Sequence, residues 1–332
     1  MARTATRLTA HELALHARLT SHAAQQGGVV SALQARSLGA LDGDIRRLIS
    51  AGMWTRPRRS VYADRNYRST TPAPVHADVC AATLAALDSG VVVSHLSAVH
   101  LLGLPTTRAA PEVVSLTRRP PCHGNDAAGT DIHVAEFDDA NVVVLSGIPV
   151  LAGARLVIDC CQTMDPPDAL AVADGVLRAG IATPDDLRRA VLDCSGIPFT
   201  RSAALVVSRS DPLSENWFES VSRWWLLEAG LPRPQLQVPL QDKHGVVRAR
   251  LDMLLADPGI AGEADGRGKY DGPDGLSTLI AEKEREDWIR HEHGLEVVRW
   301  IPAEMASPRG RAGVMSRWWD AMERANERRN RR

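Results

Sequence analysis

The order of segments after residue 213 constrains the fold more than any other feature of the chain. A helical apolar pattern ends at Gly230, three extended segments follow, and a second helical pattern ends at Gly294 before a last extended segment. In chain order these segments read SENWFESVSRWWLLEAG, PQLQVPL, VVRARLDMLL, IAGEAD, LSTLIAEKEREDWIRHEH and LEVVRWI. The sequence therefore predicts an αβββαβ domain over residues 206–332.

Carboxylates occupy the second and third predicted strands of this domain. Period-two alternation sets Asp252 on the polar face of its strand, and it sets Glu263 and Asp265 on one face of the next. The short connection lets neighbouring strands present Asp252 and Glu263 at one point. Glu219 on the first helix is expected to add a third oxygen ligand or to orient a metal-bound water. Mg²⁺ or Mn²⁺ takes one or two carboxylates and keeps several waters. We expect Asp252, Glu263 and Glu219 to be metal ligands.

The stretch GEADGRGKY does not match a phosphate-binding loop, because G-x-x-x-x-G-K-[ST] needs glycine at 263 and Ser or Thr at 270. Its lysine is nevertheless informative. The chain has 36 arginines and three lysines, and two of the lysines, Lys269 and Lys283, follow the carboxylates. Arginine is a poor general base, whereas lysine can position or deprotonate water. The predicted catalytic residues are Glu219, Asp252, Glu263, Asp265, Lys269 and Lys283.

This segment resembles a family of actinobacterial C-terminal domains related to the very-short-patch-repair endonuclease. The residues that carry the resemblance are Glu219-Ser220, Arg250-x-Asp252, Glu263-x-Asp265-Gly266, Lys269-Tyr270, Glu282-Lys283-x-Arg285-Glu286 and Val298-Arg299-Trp300. The resemblance implies a PD-(D/E)XK (restriction-endonuclease-like) fold and Mg²⁺-dependent cleavage of DNA. Asp265 departs from the lysine of E-x-K, so Lys269 or Lys283 would have to substitute. The alternative is a nuclease fold that has lost catalysis.

The N-terminal residues predict three helices followed by a β-hairpin. Capping boxes at Thr9–Glu12 and Ser31–Gln34 mark two helix starts, and Asp42 is expected to cap a third helix that ends before Gly52. In the third helix an apolar stripe leaves four residues outward, namely Asp44, Arg46, Arg47 and Ser50. With two extended segments around residues 57–59, the pattern is typical of a winged helix-turn-helix over residues 1–72.

Residues 45–68 carry seven arginines and one acid. This local excess suits a face that binds duplex DNA, and the expected contacts come from Arg46, Arg47, Arg56, Arg58 and Arg59. The alternative is a solvated basic face on a winged helix that binds protein.

The pattern GGVVSALQARSLG…DIRRLISAGMWTRPRRSVYA resembles the N-terminal domain of AbiEi-type antitoxins from type IV toxin–antitoxin systems. The resemblance implies a repressor of its own operon and a cognate toxin as protein partner. In residues 73–205 the order SHLSA, LLGLP, RLVIDC and ALAVADGVLR is similar to the central part of these antitoxins.

Residues 73–205 predict a mixed α/β middle domain without catalytic chemistry. No nucleophile elbow, cysteine pair or glycine fingerprint stands out, and the apolar faces of their helices account for Asp159 and Asp174. We interpret this segment as a spacer or docking domain.

Composition narrows the class of protein. At 332 residues the chain predicts two or three domains, and its net charge of −1 excludes a uniformly basic coat. Five cysteines without C-x-x-C spacing argue against structural zinc. No apolar run long enough for a membrane span occurs, and MARTATRL lacks the core of a secretory signal, so a cytoplasmic protein is expected. Two hypotheses remain: a DNA-targeted metal-dependent nuclease, or an antitoxin-like repressor with a passive C-terminal module.

Overall fold

The computed structural model describes residues 8–58, 61–70, 75–85, 87, 90–121, 130–194, 199–265 and 275–331, and within these ranges it describes all side chains except those of residues 58, 68–70, 75 and 275–281. The described chain is a mixed α/β protein with several sheets and fourteen α-helices. It forms two compact units, one of residues 1–104 with 108–163 and one of residues 105–107 with 164–332.

The first unit contains two sheets. Its helices are α1 Ala10–Ala23, α2 Ala32–Ser37, α3 Asp42–Ser50, α4 Arg65–Thr70, α5 Val75–Leu84, α6 His95–Leu101 and α7 Gly153–Thr163. Its strands are β1 Val29–Ser31, β2 Trp54–Arg58, β3 Val61–Asp64, β4 Val91–Val93, β5 Val114–Arg118, β6 Thr130–Val134, β7 Val142–Leu145 and β8 Ile148–Leu151. An antiparallel sheet has the order β1-β3-β2, and a mixed five-stranded sheet has the order β6-β5-β4-β8-β7.

The two predicted capping boxes are confirmed. The Thr9 hydroxyl accepts from the Glu12 amide at 3.3 Å while the Glu12 carboxylate accepts from the Thr9 amide at 2.7 Å. Ser31 and Gln34 form the same exchange at 3.1 and 2.8 Å. Each box satisfies backbone donors that a helix start leaves free. The helices α1 to α3 then close over a core that includes the buried indole of Trp54.

Two sequence-based predictions about residues of α3 were wrong. Leu41, not Asp42, is the capping residue, and its amide donates to Asp44 Oδ2 at 3.0 Å. Asp44 was expected to face outward, but it is 4% exposed. The physical reason is that a carboxylate three positions into a helix can turn back to the helix start, which buries it there.

The second unit holds a four-stranded sheet. Its helices are α8 Pro166–Arg178, α9 Pro184–Asp193, α10 Thr200–Arg209, α11 Trp217–Glu228, α12 Gly275–His293, α13 Pro302–Met305 and α14 Pro308–Asn330. Its strands are β9 Gln235–Gln241, β10 Val247–Leu255, β11 Ile260–Ala264 and β12 Glu296–Trp300. The sheet order is β12-β11-β10-β9, antiparallel except for the parallel pair β11 and β12, between which α12 runs.

Two apolar clusters flank this sheet. One joins α11 and α14 to residues such as Met253, Ile260 and Trp300. At Gly262 a Cβ atom would lie 2.5 Å from the Trp318 ring, so only glycine lets α14 pack this closely. The other cluster joins Ile289 of α12 to residues such as Ala261 and Val297. Successive residues of β11 therefore face different helices, and Glu263 lies on the α12 side with Ala261.

No helix in the described ranges has the length and apolar character needed to cross a membrane.

Candidate functional site

The strand register brings three polar residues into one row across the sheet of the second unit. Leu251 and Met253 pair with Val238 and Leu236, which sets Asp252 opposite Gln237. On the other side of β10, Met253 pairs with Gly262 in the antiparallel register. The next residues along the two strands, Asp252 and Glu263, therefore stand opposite each other. We call Gln237, Asp252 and Glu263 the polar row. The sequence pattern predicted the adjacency of Asp252 and Glu263.

Glu263 is the most enclosed carboxylate of the polar row, at 4% exposure. Its oxygens accept from the Arg285 guanidinium of α12 at 3.1 and 3.3 Å. Burial raises the pKa of Glu263 to about 7, and the charge of Asp252 adds to the rise while Arg285 opposes it. Arg285 and Arg299 both lower this pKa, but together they do not offset burial and the neighbouring carboxylates.

Glu219 reaches the polar row from α11. Asn216 caps this helix by accepting from the amides of Phe218 and Glu219 at 2.9 and 3.0 Å. The Glu219 carboxylate accepts from the Glu215 amide at 2.7 Å and from Gln237 Nε2 at 3.0 Å. Burial raises its pKa to about 7, and the charges of Asp252 and Glu215 contribute to the rise.

Asp252 links the two glutamates electrostatically, because its charge raises the pKa of both Glu219 and Glu263. Its Oδ2 atom accepts from the Ala264 amide of β11 at 2.8 Å, so the side chain reaches across to the end of the neighbouring strand. Asp252 therefore lies within electrostatic range of both other predicted ligands. Among the described residues, no group of three or more His, Cys, Asp or Glu side chains is arranged to hold a metal ion as it stands.

Asp265 follows β11 and belongs to a second set of charges on the α12 side. Arg299 of β12, which pairs in register with Glu263, lies 3.7 Å from Asp265. The same guanidinium lies 3.5 Å from Glu282 and 3.3 Å from Glu286, both on α12. Arg299 therefore holds Asp265 and two helix carboxylates together beside the polar row.

The structure describes one of the two predicted catalytic lysines. Lys269 lies outside the described residues. Lys283 is an exposed residue of α12, two positions before Arg285, and no hydrogen bond or ion pair joins it to the polar row within the described ranges.

The predicted DNA-binding arginines of the first unit differ in their bonding partners. Arg46 and Arg56 are exposed. Arg47 bonds to Glu12 and, at 3.1 Å, to Asp44, so two carboxylates hold its guanidinium. The side chain of Arg58 and the whole of Arg59 lie outside the described residues.

No family model matches this chain. Two Mycobacterium tuberculosis proteins are similar to it, "Uncharacterized protein MT2308" of strain CDC 1551 and "Uncharacterized protein Rv2248" of strain H37Rv. Each is 26% identical over 237 residues, which cover 71% of this chain and 78% of the relative. The crystal structure of the RV2827C protein from the same organism aligns with a TM-score of 0.35 and 16% identity over 68% of this chain and 84% of that one. A likeness at that TM-score supports no conclusion.

Sequence reasoning assigned no role to three residues that shape the site: Gln237, Arg285 and Arg299. Gln237 gives no signal in a strand that reads as ordinary alternation. Arg285 and Arg299 lie in segments that carry the family resemblance, but their partners become visible only when α12 and β12 pack beside β11.

Proposed function

We propose that this protein binds DNA through its N-terminal residues and cleaves it with a metal-dependent endonuclease domain in residues 206–332. The observation that carries the proposal is the meeting of Glu219, Asp252 and Glu263 in one region, where the pKa of both glutamates rises to about 7. Perturbed acids of this kind concentrate at functional sites. The order α11-β9-β10-β11-α12-β12 supports the PD-(D/E)XK interpretation.

The donors around the polar row suit Mg²⁺ or Mn²⁺. They are all oxygens, they carry excess negative charge, and the buried Oε1 atom of Gln237 has no partner among the described residues. Asp252 and Glu263 would hold the ion, with Glu219 as a further oxygen ligand. When bound, the ion would supply a Lewis acid for hydrolysis of a phosphodiester.

The residues around the ion would divide the remaining work. Arg285 donates to both Glu263 oxygens in the metal-free protein, and with an ion held at Glu263 its guanidinium would be placed to bind a phosphate oxygen. Glu219, whose pKa is about 7 in the metal-free protein, would give up its proton on binding the ion. Asp265 replaces the lysine of E-x-K, so Lys269 or Lys283 would steady the phosphate charge.

For the first unit, the three helices α1 to α3 and the β2–β3 hairpin support a winged helix-turn-helix. In this arrangement α3 would enter the major groove and the hairpin would contact the backbone. Exposed Arg46 and Arg56 are available for phosphates. Arg58 and Arg59 are proposed as further contacts from their position in the sequence alone. Arg47 would contribute less, because Glu12 and Asp44 already hold it.

The test is the incubation of supercoiled plasmid with Mg²⁺, Mn²⁺ or EDTA and either wild-type protein or Glu263→Gln. Metal-dependent nicking by the wild type, absent from Glu263→Gln while DNA binding persists, is the expected result. Equal nicking by both proteins would identify a contaminating nuclease. No nicking by either, with no metal bound to the wild type, would refute the enzyme.

One observation favours a second candidate, an AbiEi-like antitoxin or repressor whose nuclease-like domain is inactive. Arg285 bonds to both oxygens of Glu263 and thereby fills the position that a cation would take. In that case the arginine replaces the metal, the protein partner would be a cognate toxin, and DNA binding would persist without any response to divalent ions.

A further inference from the structure

Gln237 has an unusual backbone for a residue within a strand. Its φ angle is +53°, in the left-handed region that non-glycine residues rarely adopt. Such a conformation costs on the order of 1 kcal/mol and persists only where the surroundings enforce it, commonly at functional sites. The residue stands opposite Asp252 in the middle of the polar row. The cost therefore falls at the position nearest to the carboxylates.

Only one of the two polar atoms of the Gln237 side-chain amide has a hydrogen-bond partner among the described residues. Its Nε2 atom donates to Glu219 at 3.0 Å, while its Oε1 atom is buried without a hydrogen-bond partner among the described residues. A buried acceptor left unpaired costs about 1–3 kcal/mol. Rotation of the amide gives no relief, because it would turn the oxygen toward the Glu219 carboxyl and leave Nε2 in the buried position without an acceptor. The side chain therefore holds a neutral oxygen in a buried position without a hydrogen bond from the described residues.

We propose that Gln237 Oε1 is a neutral oxygen ligand of the divalent cation, an inference that rests on the proposed metal-dependent function. Amide oxygens are ordinary ligands of hard cations. In this row a neutral ligand has a specific advantage: it adds an oxygen donor without adding a further negative charge beside Glu219, Asp252 and Glu263. The bond from Nε2 to Glu219 keeps the amide oriented.

The test measures Mn²⁺ binding to the full chain by calorimetry at pH 8, without DNA and independently of cleavage. Gln237→Gly removes the oxygen and suits the left-handed backbone, so thermal stability should be retained. We expect its Mn²⁺ affinity to fall roughly 10-fold or more. Gln237→Glu keeps an oxygen but loses the donor to Glu219, and it should bind Mn²⁺ at least as tightly as the wild type.

Gln241→Gly, at an exposed position of the same strand, is the control for a change in β9 itself and should bind Mn²⁺ like the wild type. Wild-type affinity in Gln237→Gly would overturn the role of Gln237 and leave the proposed function standing. Equal losses in Gln237→Gly and Gln237→Glu would show that the residue acts only through Glu219, which also refutes ligation. No Mn²⁺ binding to the wild type would refute both this inference and the metal-dependent function.

Discussion

Two buried carboxylates of the second unit, Asp174 and Glu263, have different electrostatic surroundings. On α8, Asp174 forms an ion pair at 2.5 Å with Arg223 of α11, which is 0% exposed. The Asp211 amide donates to its other oxygen at 2.7 Å. In the polar row, Glu263 has Arg285 as its bonded arginine but also feels the negative charges of Asp252 and Asp265.

On the proposed function, this difference separates a structural ion pair at Asp174 from a cation site at Glu263. Burial raises the pKa of Asp174, and Arg223, the Asp211 amide and Ser220 oppose that rise. Burial also raises the pKa of Glu263 and of Glu219. Arginines oppose the rise at Glu263 and hydrogen-bond donors oppose it at Glu219, but at both sites the charges of neighbouring carboxylates add to it. A cation would remove that conflict, whereas at Asp174 it would have nothing to correct.

The largest effect is expected where the paired arginine is removed. Arg223→Met leaves the buried Asp174 carboxyl without its paired cation, which should cost about 3–5 kcal/mol of unfolding free energy. Arg285→Met should cost clearly less, because Glu263 already tends toward its neutral form at pH 7. Urea unfolding of both variants at pH 7 gives the comparison. Equal losses would mean that Glu263 and Asp174 are structural in the same sense.

A smaller change in the unfolding free energy is expected when the pH is varied. The folded-state pKa of Glu263 is raised from 4.5 to about 7, so the folded state binds more protons between these values. Metal-free protein should therefore lose unfolding free energy as pH rises from 5 to 8, by on the order of 3 kcal/mol from this carboxyl. Glu263→Gln should show a shallower loss in EDTA. A wild-type stability that is flat or rises over this window would contradict the raised pKa.

The smallest effect is expected on DNA binding. It compares arginines that are bonded to carboxylates with arginines that are not. Arg46→Ala and Arg56→Ala should each weaken binding to any duplex and reduce the slope of log affinity against log salt by about one. Arg47→Ala is the matched control with a smaller change in slope, since Glu12 and Asp44 hold its guanidinium. Fluorescence anisotropy over a salt series measures all three. Identical slopes in every variant would remove these arginines from the DNA interface.

Local patterns in the sequence predicted local structure well. The boxes at Thr9 and Ser31 depend on residues three positions apart, and the alternation that sets Asp252 among buried neighbours depends on strand period alone. The prediction that Asp44 faces outward was wrong because its carboxylate accepts a hydrogen bond from the backbone amide of Leu41 instead of facing water.

The site was predictable only in part, for a physical reason. Carboxylates on adjacent strands can be read from alternation, which gave Asp252 and Glu263. Arg285 meets Glu263 only through the packing of α12 on the sheet, and the left-handed backbone of Gln237 leaves no trace in the sequence. Helices α10, α13 and α14 were also missed, and α14 supplies the tryptophan that packs against Gly262.

The central claim is that the polar row takes a divalent cation in exchange for protons. Calorimetric titration of Mg²⁺ at pH 6.5, in buffers with different heats of ionisation, counts the protons that binding releases. Because the pKa of Glu219 and of Glu263 is about 7, most of both carboxyls is protonated at that pH. We expect roughly one to two protons released per cation, and about one fewer in Glu263→Gln. Mg²⁺ binding without proton release, or no Mg²⁺ binding at all, would contradict the account.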